Sequence, residues 1–247
     1  MWNKGLSYRE RHGLGQVGMN KDTNSNVGDA LNADTNKSHA VNTDENAPKH
    51  SLGLVFFPAF DWKISETHPE RQERLLYTRD QIVEEGLLDI PNIREYNPIV
   101  ADWDTIERVH VGAPDLESWV TEAHRVSAGG AIAAADAVMR GEVDRAFALV
   151  RPPGHHAMAM VHGIRGFCTI NIEAVMIQHM RQNYGIKRVA VVDTDVHHGD
   201  GSQDVFYHDP DTLYISFHQD GRTLYPGTGF MDEFGGPQAI GGNIDIP

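Results

Sequence analysis

Residues 188–201 read RVAVVDTDVHHGDG, an apolar, β-branched run followed directly by three carboxylates and two imidazoles. Such a run is typical of a buried parallel strand. Because side chains on an extended segment alternate between faces, Asp193, Asp195 and His197 are expected to project to one side where the strand ends. An imidazole and a carboxylate two residues apart suit a divalent cation such as zinc. The stretch therefore predicts a strand that ends in a metal site.

A second polar cluster follows a second predicted strand. Residues 146–150 read AFALV and continue into residues 151–157, RPPGHHA. Two prolines and a glycine stop the strand and fix a rigid loop that carries His155 and His156. In an open parallel sheet, ligands bind outside the carboxyl ends of the strands. We therefore expect the two clusters to converge, although about 40 residues separate them.

Strand and helix patterns alternate along the rest of the chain, which implies right-handed crossovers and a parallel sheet. The predicted fold class is α/β, with a doubly wound, mainly parallel sheet flanked by helices. Gly185 is expected to end the last predicted helix. The predicted strands are residues 52–57, 146–150, 188–192 and 213–217, and the predicted helices are residues 68–85, 115–139 (interrupted at Gly129-Gly130) and 171–184.

Four segments of the chain, taken in order, resemble the zinc-dependent histone deacetylase family, which includes bacterial acetylpolyamine amidohydrolases. The segments are residues 151–157, Gly166-Phe167-Cys168, residues 193–201 and Pro226-Gly227-Thr228-Gly229. The resemblance covers roughly residues 51 to 247. It implies an arginase/deacetylase-like fold and the hydrolysis of an acetyl or other acyl amide on a lysine or polyamine amine.

The resemblance also implies a role for individual residues. Asp195 and His197 would hold one zinc ion per site. Zinc lowers the pKa of a bound water and polarises an amide carbonyl, and a nearby imidazole can carry the water's proton to the leaving amine. The implied catalytic residues are two imidazoles, each backed by a carboxylate: His155 with Asp193, and His156 with Asp200.

A substrate channel and a second cation are implied in the same way. Phe167 and Tyr225 match positions that wall a narrow channel for the acylated amine. The backbone carbonyl of Gly166 matches an acceptor for the substrate amide N–H. The family's monovalent cation, usually potassium, would lie at Asp193, Asp195, His197, Ser216 and Phe217.

The chain departs from the family pattern near its end. The family's third metal ligand, an Asp, and its catalytic Tyr (or a His in its place) lie further downstream, whereas this sequence stops at Pro247. Asp232 and Asp245 are carboxylates, but neither lies in the expected motif. We therefore expect residues 51–247 to be the N-terminal part of a deacetylase-like catalytic domain, incomplete at the C-terminus and inactive or nearly so alone.

Two other functions stay open. An arginase-like hydrolase with two manganese ions would carry a carboxylate two residues after the ligand histidine, but Gly199 stands there and Asp200 follows one residue later. A non-catalytic module that binds acylated amines would keep the pocket without the missing groups. Metal content and substrate titration separate these alternatives from a mononuclear zinc enzyme.

Charge divides the chain into two parts. Residues 1–50 hold eight Asn and balance six basic against six acidic residues, which predicts a disordered, low-complexity tail. Residues 51–247 hold 15 basic and 29 acidic residues and so carry the whole net charge of −14. This balance argues against direct binding of nucleic acid. It suits a cationic substrate such as an acetylated lysine peptide, an acetylpolyamine or a small acylated amine.

Cys168 is the single cysteine, so no intrachain disulfide is possible and a reducing, cytoplasmic location is expected. We expect no membrane association, because the sequence has neither a signal-peptide-like start nor a long apolar run.

Several histidines outside the two clusters have more ordinary interpretations. The segment 68–71, His-Pro-Glu-Arg, is either a helix start or a loop at the rim of the site. His198 is expected to be a structural imidazole, and His179 a surface residue without a carboxylate partner. His218 follows a predicted strand and is a weaker candidate for the site.

Overall fold

The computed structural model describes residues 51–110 and 116–247. The tail predicted for residues 1–50 lies outside the described residues, as does the start of the helix predicted at Asp115. Within the two described ranges, no helix is both long enough and apolar enough to cross a membrane.

The described elements are six strands and six α-helices, and a short 3-10 helix (Leu87–Asp89) precedes β2. The strands are β1 (Leu52–Phe57), β2 (Ile93–Tyr96), β3 (Arg145–Val150), β4 (Val189–Asp193), β5 (Thr212–Phe217) and β6 (Asn243–Ile246). The helices are α1 (Gln72–Glu84), α2 (Trp103–Val109), α3 (Leu116–Trp119), α4 (Glu122–Met139), α5 (Ile172–Tyr184) and α6 (Asp200–Phe206).

Every strand pairing among the described residues is parallel. The strands form two sheets of three, in the orders β2-β1-β3 and β4-β5-β6. Helix α4 packs on β1 and β3, α5 packs against α4 and α2, and α6 contacts β5. The predicted α/β class with a parallel sheet and flanking helices is confirmed.

Helix α4 corrects one prediction, because it runs through Gly129-Gly130 without a break. A Cβ atom at Gly129 would overlap the backbone of Ile99, and one at Gly130 would lie 2.6 Å from a methyl group of Val150. The two glycines therefore let the helix approach its neighbours closely instead of interrupting it. The break lies earlier, at Thr121, the N-cap of the new helix, whose backbone N–H donates a hydrogen bond of 3.0 Å to His124 Nδ1.

Helix α5 begins and ends where its sequence predicts. The side chain of Asn171 accepts a hydrogen bond of 2.9 Å from the backbone N–H of Ala174 at the first turn. Gly185 ends the helix in the left-handed conformation, at φ 65°. Because α5 separates the loop after β3 from β4, its fixed length helps to set where the two polar clusters meet.

Arg151 anchors the loop that follows β3. Its side chain is fully buried and pairs with Glu70 at 2.8 Å. The remaining guanidinium donors bind the backbone carbonyls of Pro58, Ala59 and Trp62. One buried cation thus ties the start of the histidine loop to the segments after β1 and before α1.

Candidate active site

The ends of β3 and β4 place the two polar clusters side by side. His155 and His156 lie in the loop after β3, and Asp193 is the last residue of β4. His155 Nδ1 lies 2.9 Å from Asp193 Oδ2. The rings of His155 and His156 are 4.1 Å apart between centroids. The convergence expected from the parallel sheet is therefore present in the structure.

The first imidazole–carboxylate pair is His155 with Asp193, and both side chains are largely buried. Asp193 Oδ2 also accepts a hydrogen bond of 2.8 Å from the hydroxyl of Tyr214. Burial opposes the charged imidazolium, but the hydrogen bond and charge of Asp193 outweigh it and raise the pKa of His155. Burial favours the neutral acid of Asp193, but its contacts with His155 lower the pKa of that carboxyl. This environment favours a protonated His155 beside an ionised Asp193.

The second pair is His156 with Asp200, whose atoms Nδ1 and Oδ1 are 2.7 Å apart. Both side chains are almost fully buried, at 3% and 4% exposure. Here burial outweighs the carboxylate and lowers the pKa of His156. The guanidinium of Arg165 also binds Asp200, at 3.0 Å from Nε to Oδ2. The two neighbouring imidazoles therefore have pKa values shifted in opposite directions.

Two glycines leave the space that these pairs occupy. A Cβ atom at Gly199 would overlap Asp193 Oδ2 and the hydroxyl of Tyr214, and it would lie 3.0 Å from His155 Nδ1. A Cβ atom at Gly166 would overlap the ring of His156, and Gly166 also has a φ of +50°. The Gly166 carbonyl, the implied acceptor for the substrate amide, is contacted by the thiol of Cys168 at 3.4 Å.

Asp195 and His197 lie next to the imidazole pairs. Asp195 Oδ1 is 3.0 Å from His197 Nδ1 and 4.0 Å from His155 Nε2. Both side chains are partly open to solvent, at 48% and 35% exposure. A carboxylate oxygen and an imidazole nitrogen this close can bind one ion together, with the metal replacing the Nδ1 proton. These two donors fit zinc.

A full metal-binding cluster is absent from the described part of the chain. Within residues 51–110 and 116–247, no group of three or more His, Cys, Asp or Glu side chains is arranged to hold a metal ion. Asp245, one of the carboxylates without a family motif, is buried beside His198 at 3.4 Å. The described residues thus offer two donors, Asp195 and His197.

Aromatic side chains line the approach to His156. The Tyr225 ring packs edge-on against His156, with 5.0 Å between ring centroids. Phe167 has a φ of 71°, a backbone conformation that bulky residues rarely adopt, and its ring meets that of His68 at 4.4 Å. Phe167 and Tyr225 are 38% and 44% exposed, as walls of an open channel would be. The His68 contact places the 68–71 segment at this rim, and α1 begins after it, at Gln72.

The residues implied for a monovalent cation lie at the ends of β4 and β5 and in the loop that follows β4. Ser216 is buried, and its hydroxyl lies 2.8 Å from His218 Nδ1. Asp193 Oδ1 accepts a hydrogen bond of 3.0 Å from the backbone N–H of Asp195. Phe217, the last residue of the strand, is 46% exposed. With these side-chain oxygens engaged, a cation here would rely mainly on backbone carbonyls.

Sequence reasoning misjudged one histidine and missed two contributors to the site. His179 pairs with Asp136 at 2.8 Å, so the expectation that it lacks a carboxylate partner is wrong. Tyr214 and Arg165, which bind the two carboxylates behind the imidazoles, were not foreseen. Tyr214 shares its strand face with buried Ser216, and that alternation was a usable signal. His198, buried and bonded to Thr228 and Gln203, fits its structural interpretation.

Comparison with known proteins gives matches in one family. The model of the Histone deacetylase domain family matches residues 114–247. A "Probable deacetylase" of Archaeoglobus fulgidus is 39% identical over 214 residues, covering 79% of this chain. An "Acetylpolyamine amidohydrolase" of Burkholderia pseudomallei is 47% identical over 122 residues, which are 49% of this chain and 34% of that protein.

The fold also matches a solved structure, that of the HDA15 HD domain. The TM-score is 0.71 at 29% identity, and the match covers 80% of this chain and 62% of that one. The chain spans 58% of the length of the Archaeoglobus protein.

Proposed function

Because this chain belongs to the histone deacetylase family, we propose that it contributes the histidine pair of a zinc-dependent amidohydrolase. The reaction is hydrolysis of an acyl amide on a primary amine. The observation that carries this proposal is the pair of adjacent imidazoles, His155 and His156, each hydrogen-bonded to its own buried carboxylate and lying next to Asp195 and His197.

The opposite pKa shifts support different roles for the two imidazoles. Neighbouring titratable groups whose environments separate their pKa values are typical of an acid–base pair. His156, whose pKa is lowered, is neutral near pH 7 and can take a proton from the attacking water. The raised pKa of His155 favours its protonated form, the form that donates to the leaving amine. Asp200 and Asp193 fix the tautomer and orientation of each ring.

Asp195 and His197 are the residues that would hold the metal in this proposal. When bound, zinc supplies a Lewis acid that polarises the substrate carbonyl and makes a water more acidic. Their partial exposure leaves room for further ligands on the open side. A potassium ion near Asp193, Ser216 and Phe217 belongs to the same proposal and has the weaker support.

The proposed substrate is an acetylated lysine side chain or an acetylpolyamine. The family resemblance makes Phe167 and Tyr225 the walls of a channel, and such a channel would suit the methylene chain of such an amine. The excess of 29 acidic over 15 basic residues in positions 51–247 favours a cationic molecule. The polyamine alternative is supported by the similarity to the Burkholderia protein. A reducing, cytoplasmic location fits the free, buried thiol of Cys168.

The test measures amine release from an acetyl-lysine peptide and from acetylspermidine by zinc-loaded protein that carries the complete catalytic domain. We expect turnover to be lost in His156→Gln and kept in His162→Gln, a matched change at an exposed histidine. Equal turnover in the two variants would refute the acid–base assignment.

Calorimetric titration of the same substrates, together with metal analysis, tests the alternatives. Binding without turnover would favour a module that recognises acylated amines. Two metal ions per site would favour a dinuclear hydrolase.

A further inference from the structure

We propose that Arg165 is a positioning residue for the proposed reaction, which it serves by fixing the Asp200 carboxylate behind His156 and the Tyr225 ring beside it. The role of His156 rests on the proposed function, whereas the contacts of Arg165 stand independently of it. None of the segments that carry the family resemblance contains this arginine.

Arg165 and His156 divide the two oxygens of one carboxylate between them. His156 Nδ1 lies 2.7 Å from Asp200 Oδ1. Arg165 donates to Asp200 Oδ2 from Nε at 3.0 Å and from Nη2. A carboxylate held at both oxygens cannot rotate about its Cβ–Cγ bond. The direction of the His156 hydrogen bond is therefore set from the far side by the guanidinium.

The same guanidinium also lies over Tyr225. The Arg165 Cζ atom is 5.8 Å from the centroid of the Tyr225 ring, and that ring packs edge-on against His156 at 5.0 Å. A cation over an aromatic face is attracted by the ring quadrupole. Arg165 thus contacts both groups that enclose His156, one on the side of its Nδ1 atom and one on the channel side.

Backbone contacts hold the main chain at Arg165 in a fixed position. The Arg165 N–H and carbonyl each pair with Cys168 at 2.8 Å. The next residue, Gly166, packs so closely on the His156 ring that no Cβ would fit. The start of the Arg165 side chain is therefore fixed relative to the imidazole it influences.

Burial distinguishes this ion pair from an ordinary surface pair. The Arg165 side chain is 43% exposed, and exposed pairs contribute little because water replaces a lost partner. Asp200, however, is only 4% exposed. Loss of Arg165 therefore removes the ion-pair partner of Oδ2 from a carboxylate that is otherwise buried, and the carboxylate becomes freer to turn.

The experiment compares three variants by NMR on the metal-free protein at fixed pH. Arg165→Met keeps the aliphatic stem and removes the donors, and Arg165→Lys keeps the charge without the fork. Arg181→Met is the matched control, because Arg181 forms a 2.7 Å ion pair with Asp209, outside the site. The signal is the low-field Nδ1–H proton of His156, identified by its absence in His156→Gln.

We expect Arg165→Met to speed the exchange of this proton with water by about tenfold, Arg165→Lys to give a smaller increase, and Arg181→Met to change nothing. In zinc-loaded protein that carries the complete catalytic domain, kcat should fall about 10- to 100-fold in Arg165→Met while KM changes much less.

An exchange rate within about twofold of wild type in folded Arg165→Met would overturn the proposal. If Arg165→Met fails to fold, Arg165→Lys decides: faster exchange supports the proposal and an unchanged rate refutes it. If protein that carries the complete catalytic domain shows no turnover, the proposed function fails, but the exchange rates still test the positioning role.

Discussion

Replacing Gly199 with Ala tests whether the absence of a side chain at this position lets Asp193 form its hydrogen bond with His155. Gly199 has a φ of −78°, which any residue can adopt, so its backbone does not require glycine. The added methyl group would overlap Asp193 Oδ2 and the Tyr214 hydroxyl. The carboxylate must then move away from both Tyr214 and His155.

The expected loss follows from those contacts. A buried hydrogen bond to a charged group contributes about 1.5–3 kcal/mol, and overpacking a tight site adds about 1–3 kcal/mol. We therefore expect Gly199→Ala to lower the free energy of unfolding by about 3–5 kcal/mol. Urea denaturation followed by tryptophan fluorescence measures this change.

Gly141→Ala is the matched control. Gly141 has a φ of +69° with nothing within 4 Å of an added Cβ. The loss of stability in Gly141→Ala should therefore come from backbone strain alone. That cost is about 1–2 kcal/mol. Equal losses in the two variants, or a loss below about 1 kcal/mol in Gly199→Ala, would show that crowding at Asp193 does not order the pair.

Three further predictions concern other buried groups. Arg151→Met should lower the free energy of unfolding by about 3–5 kcal/mol, because Glu70 and several backbone carbonyls lose their hydrogen-bond donor. Urea denaturation measures the loss, and a loss under about 1 kcal/mol would contradict the prediction. Burial lowers the pKa of His110 and His124 to about 4. Between this value and the ordinary pKa of histidine, the two imidazoles are protonated in the unfolded chain and neutral in the folded protein. This contribution to the free energy of unfolding should therefore be complete above pH 6.5 and decrease as the pH falls towards 4. The decrease is at most about 1.4 kcal/mol per pH unit for each histidine. Denaturation at a series of pH values measures this slope, and His124→Gln should make it less steep. In protein that carries the complete catalytic domain, Asp200→Asn should lower kcat about 100-fold with a smaller change in KM, whereas equal changes in both would point to substrate binding instead.

Much of the fold and part of the site could be predicted from local sequence. The apolar runs 146–150 and 188–192 predict buried parallel strands, and the caps Asn171 and Gly185 mark the ends of α5. The prolines and histidines after β3 and the acids after β4 predict polar loops at the carboxyl ends of two strands. These features depend on residues near each other in the chain, so their pattern is visible without a structure.

Other features depend on residues that only folding brings together. The sequence Gly129-Gly130 suggested a break in α4, but close packing against Ile99 and Val150 keeps the helix intact. The Arg151–Glu70 and Arg165–Asp200 pairs join residues 81 and 35 positions apart. No local pattern identifies which arginine will meet which carboxylate.

The sequence by itself determined which chemical groups stand at the ends of β3 and β4, because strand periodicity and loop residues are local properties. Only the tertiary structure decided how those groups differ from one another. His155 and His156 are adjacent in the chain and each has a carboxylate, yet their pKa values shift in opposite directions. The balance between desolvation and nearby charge sets each shift, and that balance depends on every element packed around the ring.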